Sequence, residues 1–245
     1  MKSNKYYDNV ARSYADYRQP DLRIAGMLHN ALRHHGRVLN VGAGTGSYER
    51  RDRDVVAVDA SLEMLRNRTR GPAIRARAEA LPFASQAFDA SLAVLTVHHW
   101  HDPRAGLAEM RRVTRGPVAV LTWDPEHPGF WLVNDYFPRI IEIDREIFPP
   151  LEVFEAALGA AQVLPVMIPA DCTDGFLGAY WRRPTAYLDD GARSAISTFD
   201  RIDATEGLGQ LRRDLADGRW ASRNGGLAEL GDLDIGYRLV VSGAT

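Results

Sequence analysis

From residue 37 onward, short apolar runs alternate with stretches whose apolar residues recur at helical spacing, the pattern of a sheet of parallel strands covered by helices. Strands are predicted at Arg37 to Val41, Asp54 to Val58, Ala73 to Ala76, Phe88 to Leu95 and Val118 to Thr122, each bounded by polar, Gly or Pro residues. Pro103 to Val113 sets Ala105, Leu107, Met110 and Val113 on one helical face, with Arg111 and Arg112 near the end where the helix dipole favours cations. Ahead of the first strand, Tyr7, Val10, Tyr14 and Tyr17, then Leu22, Ile24, Met27 and Leu28, predict two amphipathic helices separated around Pro20. Beyond Pro128 the pattern predicts helices at Trp131 to Phe148 and Leu151 to Leu158 and a strand at Val163 to Ile168. Residues 171 to 228 read as helical and irregular, and Gly236 to Val241 as a final strand.

The expected architecture is α/β: a Rossmann-like, doubly wound, seven-stranded sheet with helices on both faces, in a single domain spanning residues 1–245. Within it, residues 1–35 form an N-terminal helical lid, 36–124 the ligand-binding core, 125–170 further helices and the sixth strand, 171–228 a helical cap insertion and 229–245 the last strand.

Composition narrows the partners. Hydrophobic residues make up 45% and charged residues 25% of the chain, and no apolar run approaches the roughly 20 residues a membrane helix needs. The opening MKSNKYYDNVARSY has no apolar core and no small-residue cleavage site, so a soluble, cytoplasmic protein without a secretory signal is expected. A formal net charge of −2 gives no general attraction to a polyanion. Arg66, Arg68, Arg70, Arg75 and Arg77 form a local basic cluster, read here as a solvated face. The lone Cys172 has no second thiol for a disulfide or metal pair and reads as a buried bystander.

The chemistry centres on Val38-Leu39-Asn40-Val41-Gly42-Ala43-Gly44-Thr45-Gly46, an apolar strand running into a glycine-rich turn. Glycine permits positive φ and close approach of a ligand to the main chain, and a helix after the turn would add free N–H groups. Fifteen residues past Gly44 the second strand ends in Asp59, placed so that its two oxygens could accept both hydroxyls of a ribose. A dinucleotide fingerprint would need G-x-G-x-x-G, whereas the glycines here fall at 42, 44 and 46. A third reading makes the turn a plain strand-to-helix connection and Asp59 a helix cap.

Those residues, followed by Val58-Asp59-Ala60-Ser61 with Met64, Ala78-Glu79-Ala80-Leu81-Pro82-Phe83, Phe88-Asp89 and Leu95-Thr96-Val97-His98-His99-Trp100, resemble in order the motifs of class I S-adenosylmethionine-dependent methyltransferases. The resemblance is strongest over residues 36 to 124 and is closest to the small-molecule branch that includes the ubiquinone/menaquinone C-methyltransferases and trans-aconitate methyltransferase. It implies that Gly42, Ala43, Gly44 and Gly46 lie against the methionine portion and ribose of S-adenosylmethionine, that Asp59 holds the ribose diol, and that Ala60 and Met64 flank the adenine. Ala78 and Glu79 would reach the adenine edge, Thr96 would line the floor near the sulfonium, and Tyr14 and Arg18 would close over the cofactor, Arg18 by pairing with the methionine carboxylate. Three departures stand out: Asn40 where the family usually has an acid, Arg77 where an acid often precedes the Ala-Glu pair, and so few residues between turn and second strand that the first helix must be short.

Methyl transfer is an in-line displacement at an activated carbon, so alignment and exclusion of water supply much of the catalysis. Where a proton must leave the acceptor, His98 or His99, at the carboxyl end of the fourth strand, is the candidate base, the alternative being packing and loop roles. The spacing H-H-x-H matches no common metal site, and no metal is expected. Trp100, Trp123, Trp131, Tyr136, Phe176 and Trp181 are candidates for an aromatic acceptor pocket or for core. The expected partner is a small-molecule methyl acceptor, with neither nucleic acid nor membrane, and the protein a monomer or homodimer. The competing readings are an S-adenosylmethionine-binding protein with a non-methylating or regulatory role and, on the arginine cluster alone, an RNA or protein methyltransferase.

Overall fold

A computed structural model of the chain describes residues 17–243. These fall into two compact units: a sheet unit of residues 22–126, 146–166 and 236–243, and a helical unit of residues 17–21, 127–145 and 167–235.

The sheet unit opens with α1 (Leu22–Ala31), followed by β1 (Arg37–Val41), β2 (Asp54–Asp59), α2 (Leu62–Arg66), β3 (Ala73–Arg75), β4 (Ala90–Val94), α3 (Pro103–Val113) and β5 (Val118–Trp123). Helix α4 (Pro138–Ile147), most of which belongs to the helical unit, precedes α5 (Leu151–Leu158) and β6 (Ala161–Pro165), and β9 (Tyr237–Ser242) closes the sheet. The strand order is β3-β2-β1-β4-β5-β9-β6. The first five strands run parallel, and β9 inserts antiparallel between β5 and β6. All six residues of β5 are buried, as required of a central strand with both faces covered. On one face Leu39, Val41, Val56 and Val120 join Leu107 and Met110 of α3 and Phe154 of α5 in one core; α1 buries Ile24, Ala25 and Leu28. The seven-stranded Rossmann-like fold is therefore as the apolar pattern predicts.

Four local expectations change. No helix follows the glycine turn: residues 42–53 form successive turns until β2 begins. The predicted Phe88 to Leu95 strand shortens to Ala90–Val94, with Phe88 left in an isolated bridge to Thr114 and Leu95 at φ +48° ending the extended backbone. The predicted Trp131 to Phe148 helix is broken. A π-helical turn at Leu132–Tyr136 ends on Phe137 at φ −136° and ψ 59°, a residue held out of the helical region by the proline after it, and α4 then starts at Pro138. The predicted Val163 to Ile168 strand splits at Pro165 into β6 and β7 (Ile168–Pro169), the latter pairing antiparallel with β8 (Asp232–Leu233) in a separate two-stranded sheet.

The helical unit contains α6 (Asp190–Ser194), α7 (Thr205–Ala216) and α8 (Arg219–Asn224) around an aromatic core. Trp131 donates its indole N–H to the Trp181 carbonyl at 2.7 Å, and Trp181 donates to the Ile168 carbonyl at 2.8 Å. Trp131 also packs edge-on against Tyr136, Tyr187 and Trp220. Of the aromatic residues singled out from the sequence, Trp131, Tyr136, Phe176 and Trp181 thus serve as core of this unit. Cys172 is buried among them, and burial pushes its thiol up to about 12, far from a nucleophile's range.

Candidate cofactor and active site

Gly42, Gly44 and Gly46 all take positive φ, at +68°, +52° and +89°. The N–H groups of Gly42 and Ala43 both donate to the Val58 carbonyl, at 2.8 and 3.0 Å, so the turn is stitched to the end of β2. Each glycine has its own reason. A Cβ on Gly42 would lie 2.0 Å from Thr96 Oγ1, so Thr96 sits directly on that residue; a Cβ on Gly44 would meet nothing within 4 Å. The outer face of the turn at Gly44 is open space with backbone at its floor.

Asp59 is half-buried at the end of β2. Its Oδ2 accepts the Gly44 N–H at 2.8 Å and its Oδ1 accepts the Ser61 N–H at 2.8 Å. The carboxylate is therefore tied to the turn at Gly44 and to the start of α2. A carboxylate has about four acceptor positions, and each oxygen here uses one on the backbone, leaving each able to accept a hydroxyl. That donor set, with the open floor at Gly44, fits a nucleoside ribose. The chain continues through exposed Ala60 to Ser61, whose Oγ accepts the Met64 N–H at 3.2 Å as the N-cap of α2, with Met64 half-buried beyond.

Ala78 is buried in the core of the sheet unit. Glu79 is engaged as a fastener: its Oε1 accepts the N–H groups of His101 at 2.8 Å and Asp102 at 3.1 Å, and Arg77 Nε stands 3.5 Å from Oε2. Burial alone would push its carboxyl up, but backbone N–H groups of Glu79, Asp102 and His101 together with Arg77 hold it below the ordinary glutamate value. Glu79 thus anchors the start of α3, whose N-cap is Asp102.

The left-handed turn at Leu95 swings Thr96 over Gly42 and leads into a 3-10 turn at Val97–His99, closed by the His99 N–H on the Thr96 carbonyl at 2.9 Å. His98 is half-buried, its ring stacked on Phe148 at 4.0 Å and tilted against His99 at 3.9 Å; His99 is exposed. Phe148 in turn meets Trp123 edge-on at 5.7 Å. Among the described residues, no three His, Cys, Asp or Glu side chains converge as a metal-ligand set. Arg18, in the helical unit, is held by Asp174: its Nε donates to Oδ1 at 2.6 Å, and the Asp174 side chain is only 3% exposed. Tyr14 lies outside the described residues.

Arg68, expected on a solvated face, and Glu49 matter here as well. Arg68 is not part of a solvated basic face: its side chain is 3% exposed and forms a two-point ion pair with Glu49, itself 4% exposed, at 2.8 and 2.9 Å. The available signal was Asn40, since an amide in place of an acid at the end of β1 leaves room for an acid from elsewhere, and Glu49 accepts from it at 2.8 Å.

Comparison with known proteins agrees with this geometry. Residues 39–118 match the methyltransferase domain family. Demethylmenaquinone methyltransferase of Roseiflexus sp. (strain RS-1) is 30% identical over 185 residues, covering 66% of this chain and 75% of that protein. The enzyme of the same name from Renibacterium salmoninarum is 40% identical over 102 residues, 38% of this chain and 43% of its own. A chain from Anabaena variabilis, whose crystal structure was described as a candidate methyltransferase from an antibiotic biosynthesis pathway, is 30% identical with a TM-score of 0.86, over 93% of this chain and 99% of its own. This chain belongs to the class I S-adenosylmethionine-dependent methyltransferase family. It spans less than half the length of several curated relatives that it matches.

Proposed function

We propose that this protein transfers a methyl group from S-adenosylmethionine to a small-molecule acceptor of the aromatic, quinol-like kind. The observation that carries the reading is the hydrogen bond of 2.8 Å between the Gly44 N–H and the Asp59 carboxylate, beside a glycine whose Cβ position is open. Family membership supports the cofactor, and the menaquinone-pathway name of the Roseiflexus relative supports the acceptor class.

When bound, S-adenosylmethionine supplies a methyl carbon activated by its positive sulfur. On this reading Asp59 accepts the ribose hydroxyls, the turn at Gly42–Gly46 lies along the methionine and ribose portion, and Ala60, Met64, Ala78 and Glu79 border the adenine, Glu79 through the chain segment that it fastens. Thr96 holds the floor beside the reacting carbon. His98 or His99 takes the proton from an acceptor hydroxyl or acidic carbon. Alignment contributes more than any one base, because an oriented pair of reactants removes most of the entropic barrier.

One observation favours the second reading, a cofactor-binding protein without methyl transfer: the His98 ring packs between Phe148 and His99, as a structural ring would. The two are separated by incubating the protein with methyl-labelled S-adenosylmethionine and a panel of demethylmenaquinol-like, hydroxylated aromatic and carboxylic acceptors. Labelled product from an aromatic member is the expected result. Binding without transfer to any member would favour the second reading.

A further inference from the structure

The glycine turn has no helix behind it, and the segment that would have formed one supplies one partner of a buried ion pair instead. Glu49 lies three residues past the turn, and Arg68 two residues past the end of α2. The guanidinium meets both carboxylate oxygens, through Nη1 at 2.9 Å and Nη2 at 2.8 Å, while Nη2 also donates to the Arg70 carbonyl at 3.1 Å. Asn40, the penultimate residue of β1, donates its amide to the same Glu49 Oε1 at 2.8 Å. A Cβ on Gly46 would stand 2.8 Å from Arg68 Nη1 and 2.8 Å from Glu49 Oε2, so the turn rests directly on the pair.

We propose that Glu49 and Arg68 are a positioning pair that sets the distance between the two halves of the cofactor cleft. One partner belongs to the turn segment, and the other follows the helix whose cap carries Ser61, the second N–H donor to Asp59. Desolvating two charges offsets most of their attraction, so such a pair adds little net stability. Its two-point geometry adds rigidity and register, which a run of turns without a hydrogen-bonded ladder lacks. The inference rests on the cofactor reading for its consequence, but the hold of the pair on the turn exists without ligand.

Arg68→Lys keeps the charge and nearly the volume while removing the fork, and Asn40→Ala removes a single contact; Glu49→Gln is the stronger variant. In the full chain without ligand, hydrogen exchange at the Gly44 N–H should speed up about tenfold in Arg68→Lys, with amides of β4 and β5 unchanged. The dissociation constant for S-adenosylhomocysteine should rise about tenfold in Arg68→Lys and about two- to threefold in Asn40→Ala, with KM for any acceptor unaltered. Unchanged exchange at Gly44 in the folded variant, or exchange raised equally throughout the sheet, would overturn the proposal. So would an unchanged dissociation constant. A parent protein that binds no S-adenosylhomocysteine would instead defeat the cofactor reading, and the exchange measurement would still decide whether the pair holds the turn.

Discussion

Gly42 and Gly44 are the same residue type two positions apart, yet they answer to different demands. At Gly42 the constraint is internal, since φ is +68° and Thr96 fills the space a Cβ needs. Gly42→Ala should therefore lose about 2–4 kcal/mol of folding stability, the sum of a left-handed alanine and an overpacked contact, read from the urea midpoint. At Gly44 a Cβ meets nothing within 4 Å. Gly44→Ala should cost only about 1 kcal/mol of stability but weaken S-adenosylhomocysteine binding, because the added methyl occupies the ligand's side of the turn. Equal stability losses in the two variants would contradict the assignment of Gly44 to the ligand face. Asp59 was visible in the sequence as an acid at the end of a second strand, a position that also suits a helix cap. The Gly44 and Ser61 N–H groups that hold its rotamer were not, because backbone donors leave no mark in side-chain identity.

At the scale of elements, the strands and α3 could be read from apolar spacing alone, since β1, β5, α3 and α5 begin where the pattern begins. The misread elements are those where one residue overrides the pattern: Leu95 turning left-handed, Pro138 breaking a helix and Pro165 ending a strand. The connection from Gly46 to Asp54 was expected to hold a short helix, but so few residues and a glutamate drawn inward to Arg68 leave only turns. Helix α4 carries a different kind of exception, Asp144, which is buried; that burial, only partly opposed by the Thr198 hydroxyl and Arg201, pushes its carboxyl up to about 7. Because this acid is raised, the folded state holds a proton that the unfolded chain has released between the ordinary aspartate value and about 7. Stability from this group accordingly falls as pH rises through that window, with the whole penalty, at most about 4 kcal/mol, present above it. Asp144→Asn should flatten the pH dependence of the urea midpoint between about pH 4 and 7 and stabilise the protein at about pH 8. A variant that keeps the parent's slope would show that Asp144 is ionised in the folded protein.

Across the whole molecule, the parallel half of the sheet delivers every residue of the proposed cofactor site except Tyr14 and Arg18 from the carboxyl ends of its strands and the segments after them, where open α/β sheets bind ligands. Among the described residues no helix is long and apolar enough to cross a membrane. The helical unit was the least legible part of the chain: its aromatic core is assembled in large part by residues far apart in sequence, as between Trp131 and Trp181, 50 positions apart. A ligand that binds only the folded protein raises its stability by about 2.7 kcal/mol at a hundredfold excess over its dissociation constant, so S-adenosylhomocysteine should raise the thermal midpoint by several degrees. The most direct test is calorimetric titration of S-adenosylhomocysteine into the parent protein and into Asp59→Ala. The parent should bind at one site and the variant about 2–3 kcal/mol more weakly, since the change deletes charge-assisted hydrogen bonds to a diol already withdrawn from water. Equal affinity in the two proteins, or no binding by the parent, would contradict a cofactor cleft formed by the turn and that carboxylate.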